Sequence, residues 1–297
     1  MSIEGILPVI PTPFLDGRFD RPSFERLLEH MDAGVDGFVL LGSTGEAPSL
    51  TVAEREEIAA VVLGLTDPAK TVVVGVTDTC LEDSLRLARH AQEHGARGVL
   101  CATPFYFPNS DDGLRRWLAA LDAALDIELV FYDNPVSTKT RVTAQAVAGW
   151  ASELEHLNSV KLTDSDLSKI DVWHAAGLTV LAGDDPIAFQ YLAAGADGAM
   201  MIVPAVFPEA FRATVDLVRA GALEEAFTIF GREIAPFSHA FGIGEEIATT
   251  KALLADIGVF SSPEVRPPLA GVPAERLPVL RAAFELGSER TAARTGG

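Results

Sequence analysis

The sequence predicts a (β/α)8 TIM barrel with a helical C-terminal extension, and three observations lead there. Short apolar runs alternate with longer amphipathic stretches across the first 220 residues. Several of these runs, Gly37-Phe-Val-Leu-Leu41 and Thr71-Val-Val-Val-Gly-Val76 among them, are apolar on consecutive residues, as in strands buried on both faces of a parallel sheet. One junction also recurs three times, in Ala33-Gly-Val-Asp-Gly-Phe-Val-Leu40, His94-Gly-Ala-Arg-Gly-Val-Leu100 and Ala194-Gly-Ala-Asp-Gly-Ala-Met200. Each reads as a helix end, a glycine at the left-handed cap, a second glycine and then a buried strand.

In chain order, strands are expected at residues 6–10, 37–41, 71–76, 98–102, 127–132, 159–162, 178–182 and 198–202. A helix at 22–32 starts behind Asp20 and puts Phe24, Leu27, Leu28 and Met31 at helical spacing. The next, at 52–63, follows Thr51 with Glu54 three residues on, a capping box. Further helices are expected at 81–93, 113–124, 144–151, 167–175, 186–193 and 208–219. Eight strands each followed by a helix close into a barrel over residues 1–220. A doubly wound open sheet would instead carry a Gly-rich phosphate loop after its first strand, which this sequence lacks. Beyond residue 220 the pattern is helical only, at 222–235, 245–257 and 273–286, so residues 221–297 form an extension packed on the barrel. Residues 287–297 are expected to fray.

Composition narrows the function. A 297-residue chain that is 48% hydrophobic can build one large core, and 25 glycines with 18 prolines are ordinary usage. The net charge of −19 argues against nucleic acid and against anionic membrane surfaces, since both need clustered Lys and Arg. It does not exclude an anionic substrate, because a pocket can be locally positive. Cys80 and Cys101 allow one disulfide but no disulfide framework, so a reducing cytoplasm is the simpler setting. Met1-Ser-Ile-Glu-Gly-Ile-Leu lacks the basic start of a signal peptide, and the longest uncharged apolar stretch, 198–208, is too short to span a bilayer.

Barrel sites form where strands end. The second strand runs into Gly42-Ser43-Thr44-Gly45-Glu46, whose small residues let backbone N–H groups approach a carboxylate; a plain glycine turn reads the same way. The fifth ends in Tyr132-Asp133-Asn134-Pro135, where a tyrosine either aims its hydroxyl at the mouth or packs with its tip in water. The sixth holds Lys161 between Val160 and Leu162. An ammonium there must be desolvated or paired, and desolvation favours the neutral amine that attacks carbonyls; alternatively the lysine reaches solvent from the strand end. The seventh ends in Gly183-Asp184-Asp185, carboxylates able to grip substrate hydroxyls or to cap the next helix at Pro186. His30, His90, His94, His156, His174 and His239 lie in or beside helices without metal-ligand spacing, and no Walker loop, CxxC pair or nucleophile elbow is present.

Taken in register, these positions resemble the dihydrodipicolinate synthase / N-acetylneuraminate lyase family of class I aldolases. The resemblance runs almost end to end: Pro11-Thr-Pro-Phe14 with Asp16-Gly17 and Asp20, Gly42 to Glu46 with Leu50-Thr51 and Glu54-Arg55, Thr103-Pro-Phe-Tyr106, Tyr132-Asp-Asn-Pro135, Lys161, Gly183-Asp-Asp185, Gly195-Ala-Asp-Gly198, Lys251 and Arg266-Pro-Pro-Leu269. It implies that Lys161 forms a Schiff base with pyruvate or a related 2-oxo acid, and that Tyr132 moves protons. Ser43, Thr44 and Gly45 would hold the carboxylate. Tyr106 would complete a neighbouring subunit's proton relay in a homotetramer or homodimer. Ser137, Asp184 and Met201 would meet the aldehyde partner, and neither metal nor organic cofactor is implied.

The chain departs from the family pattern in places. Family dihydrodipicolinate synthases carry Arg where Ser137 stands, the nearest basic residue being Lys139, and often Glu or Asp where Leu162 stands. Gly42 to Ala47 and Thr103 to Pro108 look more like the sugar-acid lyase branch, yet Met201-Ile-Val-Pro204 is apolar. The reading is therefore a pyruvate-linked aldolase of unassigned aldehyde. Dihydrodipicolinate synthase, of lysine biosynthesis, is the alternative. Two other classes are a barrel that binds a 2-oxo acid without turnover and a metal-dependent lyase; the Lys161, Tyr132 and Ser43 set speaks against the first, and the second needs a His and carboxylate cluster.

Overall fold

The computed structural model describes residues 2–241 and 244–295. Its eight parallel strands are β1 (Gly5–Ile6), β2 (Gly37–Leu40), β3 (Thr71–Gly75), β4 (Gly98–Ala102), β5 (Glu128–Asp133), β6 (Leu157–Leu162), β7 (Thr179–Ala182) and β8 (Gly198–Ala199). They pair in the order β1-β8-β7-β6-β5-β4-β3-β2. The seam between β1 and β2 closes just past the first strand, where Ile10 N–H donates to Val39 O at 3.0 Å and Val39 N–H to Pro8 O at 2.8 Å. The (β/α)8 barrel predicted from the sequence is what forms. β1 and β8 are shorter than the expected 6–10 and 198–202, although Leu7 N–H and Val9 N–H still bond to Ala199 O and Met201 O.

Alternation along the strands sorts side chains into two apolar layers. Leu7, Val39, Val73, Leu100, Val130, Leu181 and Met200 fill the barrel. Phe38, Val72, Val99, Phe131, Val160, Leu162 and Val180 face outward under the helices. The N-terminal end of the barrel is plugged by Glu128, whose carboxylate accepts the Ile3 N–H at 2.9 Å and the Ser159 hydroxyl.

The helix starts follow local chemistry. Asp20 accepts from Ser23 N–H, Thr51 and Glu54 form the capping box, and Ser110 caps the helix Asp111–Asp122, which therefore begins two residues before the expected 113. Besides the short 3-10 turns Ala47–Ser49 and Val203–Ala205, two elements were not anticipated. One is the hairpin Phe14–Leu15/Arg18–Phe19, turned by Asp16 and Gly17 with φ of +51° and +74°. The other is the short helix Pro135–Thr138 directly after β5.

In the C-terminal segment the expected helix 222–235 is broken: Leu223–Ile229 passes through a π-type turn, Phe230–Ile234, before Ala235–Ser238. The expectation that residues 287–297 fray is corrected, because the last helix runs Leu277–Thr295. Thr291 and Arg294 bind the buried Glu233, at 2.6 and 3.2 Å, which ties that end down. Residues 296 and 297 lie outside the described chain. No described helix is long and apolar enough to cross a membrane.

Candidate active site

Lys161 and Tyr132 are register partners on β6 and β5. Val160 and Leu162 belong to the outer layer, so the lysine between them points into the barrel, where it is 4% exposed. Its Nζ stands 4.1 Å from the centroid of the Tyr132 ring and makes no hydrogen bond or ion pair among the described residues. It can lie there because a glycine, Gly183, follows β7 directly. A Cβ on Gly183 would meet Lys161 Cε at 3.0 Å, Leu162 O at 2.7 Å and Thr163 Oγ1 at 2.6 Å. Thr163 Oγ1 is itself buried, with no hydrogen-bond partner among the described residues.

A cavity of about 230 Å³ opens beside this pair, lined in part by Ser43, Thr77, Phe105, Tyr132, Asn134 and Ser137. Lys161 is not on its wall but lies against Tyr132, so a ligand that reaches Nζ passes the tyrosine. The Gly42–Gly45 loop leaves β2 through Leu41 and ends at Glu46, both with φ of +57°. Thr12 holds it by donating to Gly45 O at 2.7 Å. The N–H groups of Ser43 and Thr44 make no hydrogen bond among the described residues, so a carboxylate could receive them. Ser43 is on the lining, while Thr44 and Gly45 are buried in the loop behind it. A side chain on Gly75 would strike Leu41 O at 2.1 Å, which explains a glycine at the end of β3.

That loop is bolted from far along the chain. Glu46 accepts from Lys251 Nζ, which also reaches Glu264 O at 2.7 Å, and from Arg266 N–H at 2.7 Å. Lys251 Nζ lies 4.2 Å and the Arg266 guanidinium 4.6 Å from the Phe14 ring centroid.

Other anticipated residues fall differently. Met201 does not meet the cavity: it is fully buried in the outer layer, and by strand alternation Met200 and Ile202 are the ones that face inward. Leu162 also faces outward, so the residue after Lys161 touches nothing in the cavity. Asp185 does not cap the helix at Pro186; it is buried and accepts Ile202 N–H at 3.2 Å and Val203 N–H at 2.6 Å, at the start of the 3-10 turn Val203–Ala205, and burial pushes its carboxyl up to about 6. Asp184 is half-buried at the mouth. Burial and the nearby Glu246 raise its carboxyl above the usual range, and Lys161 opposes that rise. Tyr106 is 88% exposed with φ of +93°, off the wall that Phe105 lines. Lys139 turns away from Ser137 and donates to Val136 O at 2.5 Å.

Asn134, Thr77, Thr138 and Thr163 were not singled out from the sequence. Asn134 carried a legible signal: two residues after an inward Tyr132, it must face inward too. Asp133 faces the opposite way and pairs with the buried Lys169 at 2.6 Å. Burial works against that ammonium, but its hydrogen bonds to Asp133 and Asp164 outweigh the cost and raise its pKa. Among the described residues no cluster of three or more His, Cys, Asp or Glu is placed to hold a metal ion.

A model of the dihydrodipicolinate synthetase family matches residues 2–286. The Thermotoga neapolitana protein named 4-hydroxy-tetrahydrodipicolinate synthase is 31% identical over 275 residues, 90% of this chain and 92% of that one. The solved structure of the 4-hydroxy-tetrahydrodipicolinate synthase from Methylacidiphilum fumariolicum superposes with a TM-score of 0.92, covering 99% of this chain and 98% of its own at 25% identity. A monomeric dihydrodipicolinate synthase variant superposes at 0.90 over 96% of this chain and 97% of its own, at 28% identity.

Proposed function

The chain belongs to the dihydrodipicolinate synthetase family and is a lyase, and on that premise we propose that Lys161 captures pyruvate or a related 2-oxo acid as an imine and that the enzyme makes or breaks a carbon–carbon bond to an aldehyde. The observation that carries this is a desolvated Lys161, unpaired among the described residues, packed on the face of Tyr132 beside an anion-accepting loop.

The neutral Nζ adds to the ketone carbon, and loss of water with uptake of one proton leaves a protonated imine, the proton being given back when the imine is hydrolysed. That imine is the electron sink. Removal of a proton from the adjacent methyl carbon gives an enamine, whose carbon attacks the aldehyde carbon, and the aldehyde oxygen takes up a proton. Water then hydrolyses the imine and frees the lysine, so the water released on capture is consumed on release. Tyr132 stands where it can pass these protons, with its ring against Nζ and its hydroxyl at the cavity. The Ser43 and Thr44 N–H groups receive the carboxylate. Thr163, with a hydroxyl near the Lys161 side chain that is unpaired among the described residues, suits a substrate hydroxyl.

For the aldehyde, Ser137 supplies one neutral hydroxyl and Lys139 is turned away, which favours an uncharged or polyhydroxy partner. The second reading is 4-hydroxy-tetrahydrodipicolinate synthase itself, favoured by the names of relatives at about 30% identity. A cytoplasmic setting fits a chain with two cysteines, one of them buried.

The deciding experiment is trapping. Incubation with pyruvate and borohydride should leave a reduced pyruvyl group on Lys161, located by peptide mass spectrometry. No adduct, or one that persists in Lys161→Ala, overturns the reading.

A further inference from the structure

One amide ties together the two hydroxyls that border the cavity. Asn134 is 5% exposed and stands on the cavity wall directly after β5. Its Oδ1 accepts the backbone N–H of Ser137 at 3.1 Å. A backbone N–H can only donate, so that contact fixes which end of the amide is oxygen. The nitrogen end then has no freedom left. Nδ2 lies 3.0 Å from Tyr132 Oη and 3.1 Å from Ser137 Oγ, and its two hydrogens serve both. An amide nitrogen has no lone pair to offer, so both hydroxyl oxygens must accept. Neither hydroxyl donates to any other described group.

We propose that Asn134 is a positioning residue: it holds the Tyr132 and Ser137 hydroxyls as acceptors towards itself, so that both point their protons into the cavity. The inference rests on the imine chemistry proposed above and deepens it. A tyrosine that must hand a proton to the aldehyde oxygen needs that proton facing the substrate before the carbon–carbon bond forms. Through Asn134, the group that moves the proton and the group that meets the aldehyde are oriented together. The two donors also define the ligand: the partner should bring acceptor oxygens to this wall, as a carbonyl or a hydroxylated chain does.

The same side chain caps the short helix Pro135–Thr138, so a loss of activity on truncation would not separate positioning from folding. Asn134→Asp does separate them. A carboxylate still accepts the Ser137 N–H and keeps the cap, but it cannot donate, and it draws the Tyr132 proton towards itself. Stability to urea should stay near wild type, and borohydride trapping of pyruvate on Lys161 should persist. The kcat for aldol turnover should fall about tenfold or more, with the KM for pyruvate little changed. The deficit should shrink as the pH is lowered, because a protonated carboxyl can donate again. Asn134→Leu, which lacks cap and donor alike, should lose kcat at every pH.

An Asn134→Asp enzyme with kcat within twofold of wild type overturns the proposal, as does a deficit of constant size across pH. These results differ from failure of the imine reading, which would show as absence of an adduct in the wild-type enzyme and would overturn both.

Discussion

On the proposed reading, the second substrate would meet one neutral hydroxyl at Ser137, where an arginine would offer paired, charge-assisted hydrogen bonds in fixed geometry. Such bonds contribute roughly 1.5–3 kcal/mol each, so their absence weakens an acidic ligand by about ten- to a hundredfold or more. Lys139 donates to Val136 O and makes no hydrogen bond to Ser137 among the described residues, so on this reading it is not counted as a replacement. The expected outcome is a lower kcat/KM for aspartate semialdehyde than for a neutral polyhydroxy aldehyde, each measured with pyruvate. Ser137→Arg should raise the former at least tenfold. If the unmodified enzyme condenses aspartate semialdehyde at about 10⁴ M⁻¹s⁻¹ or above, the uncharged-partner reading is wrong. At this scale the sequence was legible wherever chemistry and strand parity agreed. Lys161 and Tyr132 stood out because charge and hydroxyl interrupt apolar strands. Met201 was misassigned for Ile202 by one step of the two-residue period, and Asn134 passed unnoticed although the same count puts it inside.

Among the elements, the Gly42–Glu46 loop depends on the C-terminal helices. Its last residue, Glu46, is buried against Lys251 on the helix Glu246–Asp256, with both side chains fully shielded. Burial lowers the pKa of the Lys251 ammonium, and Glu46 opposes that. Removing one member of such a pair strands the other charge without water, at a cost of about 3–5 kcal/mol. Lys251→Met should therefore destabilise the protein by that amount in urea unfolding and weaken pyruvate binding. Lys251→Met combined with Glu46→Gln should recover part of the stability, since Gln still accepts the Arg266 N–H. A single variant within 0.5 kcal/mol of wild type, at the scale of ordinary surface substitutions, would show that the bolt contributes little. On this basis we propose that residues 221–297 are an extension of the barrel and not an independent folding unit. The alternation of runs made the barrel strands readable, because burial on both faces leaves an unbroken apolar signal. The Lys251–Glu46 contact was not readable: 205 residues separate its partners, and no local pattern encodes a pairing at that range.

The whole molecule exposes an apolar rim at the mouth of its own active site. Tyr106 is 88% exposed and Phe107 73%, on the loop that follows β4 with their rings 5.1 Å apart, and Val136 is 68% exposed on the short helix that follows β5. Exposed apolar side chains next in sequence to Phe105 and Ser137, which line the cavity, are a surface that a partner would cover, and we propose that the partner is a second copy, in a homodimer or homotetramer with isologous contacts. A chain charge of −19 repels its copies, so association should strengthen as salt screens it. The fold does not itself demand assembly, since a monomeric dihydrodipicolinate synthase variant shares it. What assembly would supply is Tyr106, which lies off the wall of its own cavity and would act in a neighbour's. Subunit mixing tests this directly. Lys161→Ala lacks the imine lysine, and Tyr106→Phe lacks the relay hydroxyl, so each alone should be nearly inactive. In a mixed pair, the site that keeps Lys161 receives Tyr106 from the Lys161→Ala subunit and is complete. Random exchange between equal amounts of two such dimers makes half of them mixed, each with one complete site, which restores roughly a quarter of the wild-type sites. Activity that rises towards that level on mixing, in step with an oligomer seen by sedimentation at micromolar concentration, is the expected result. Activity that stays at the level of the separate variants would keep Tyr106 out of a neighbour's site, a fully active Tyr106→Phe enzyme would place it outside the reaction, and a fully active monomer would remove the need for a second copy.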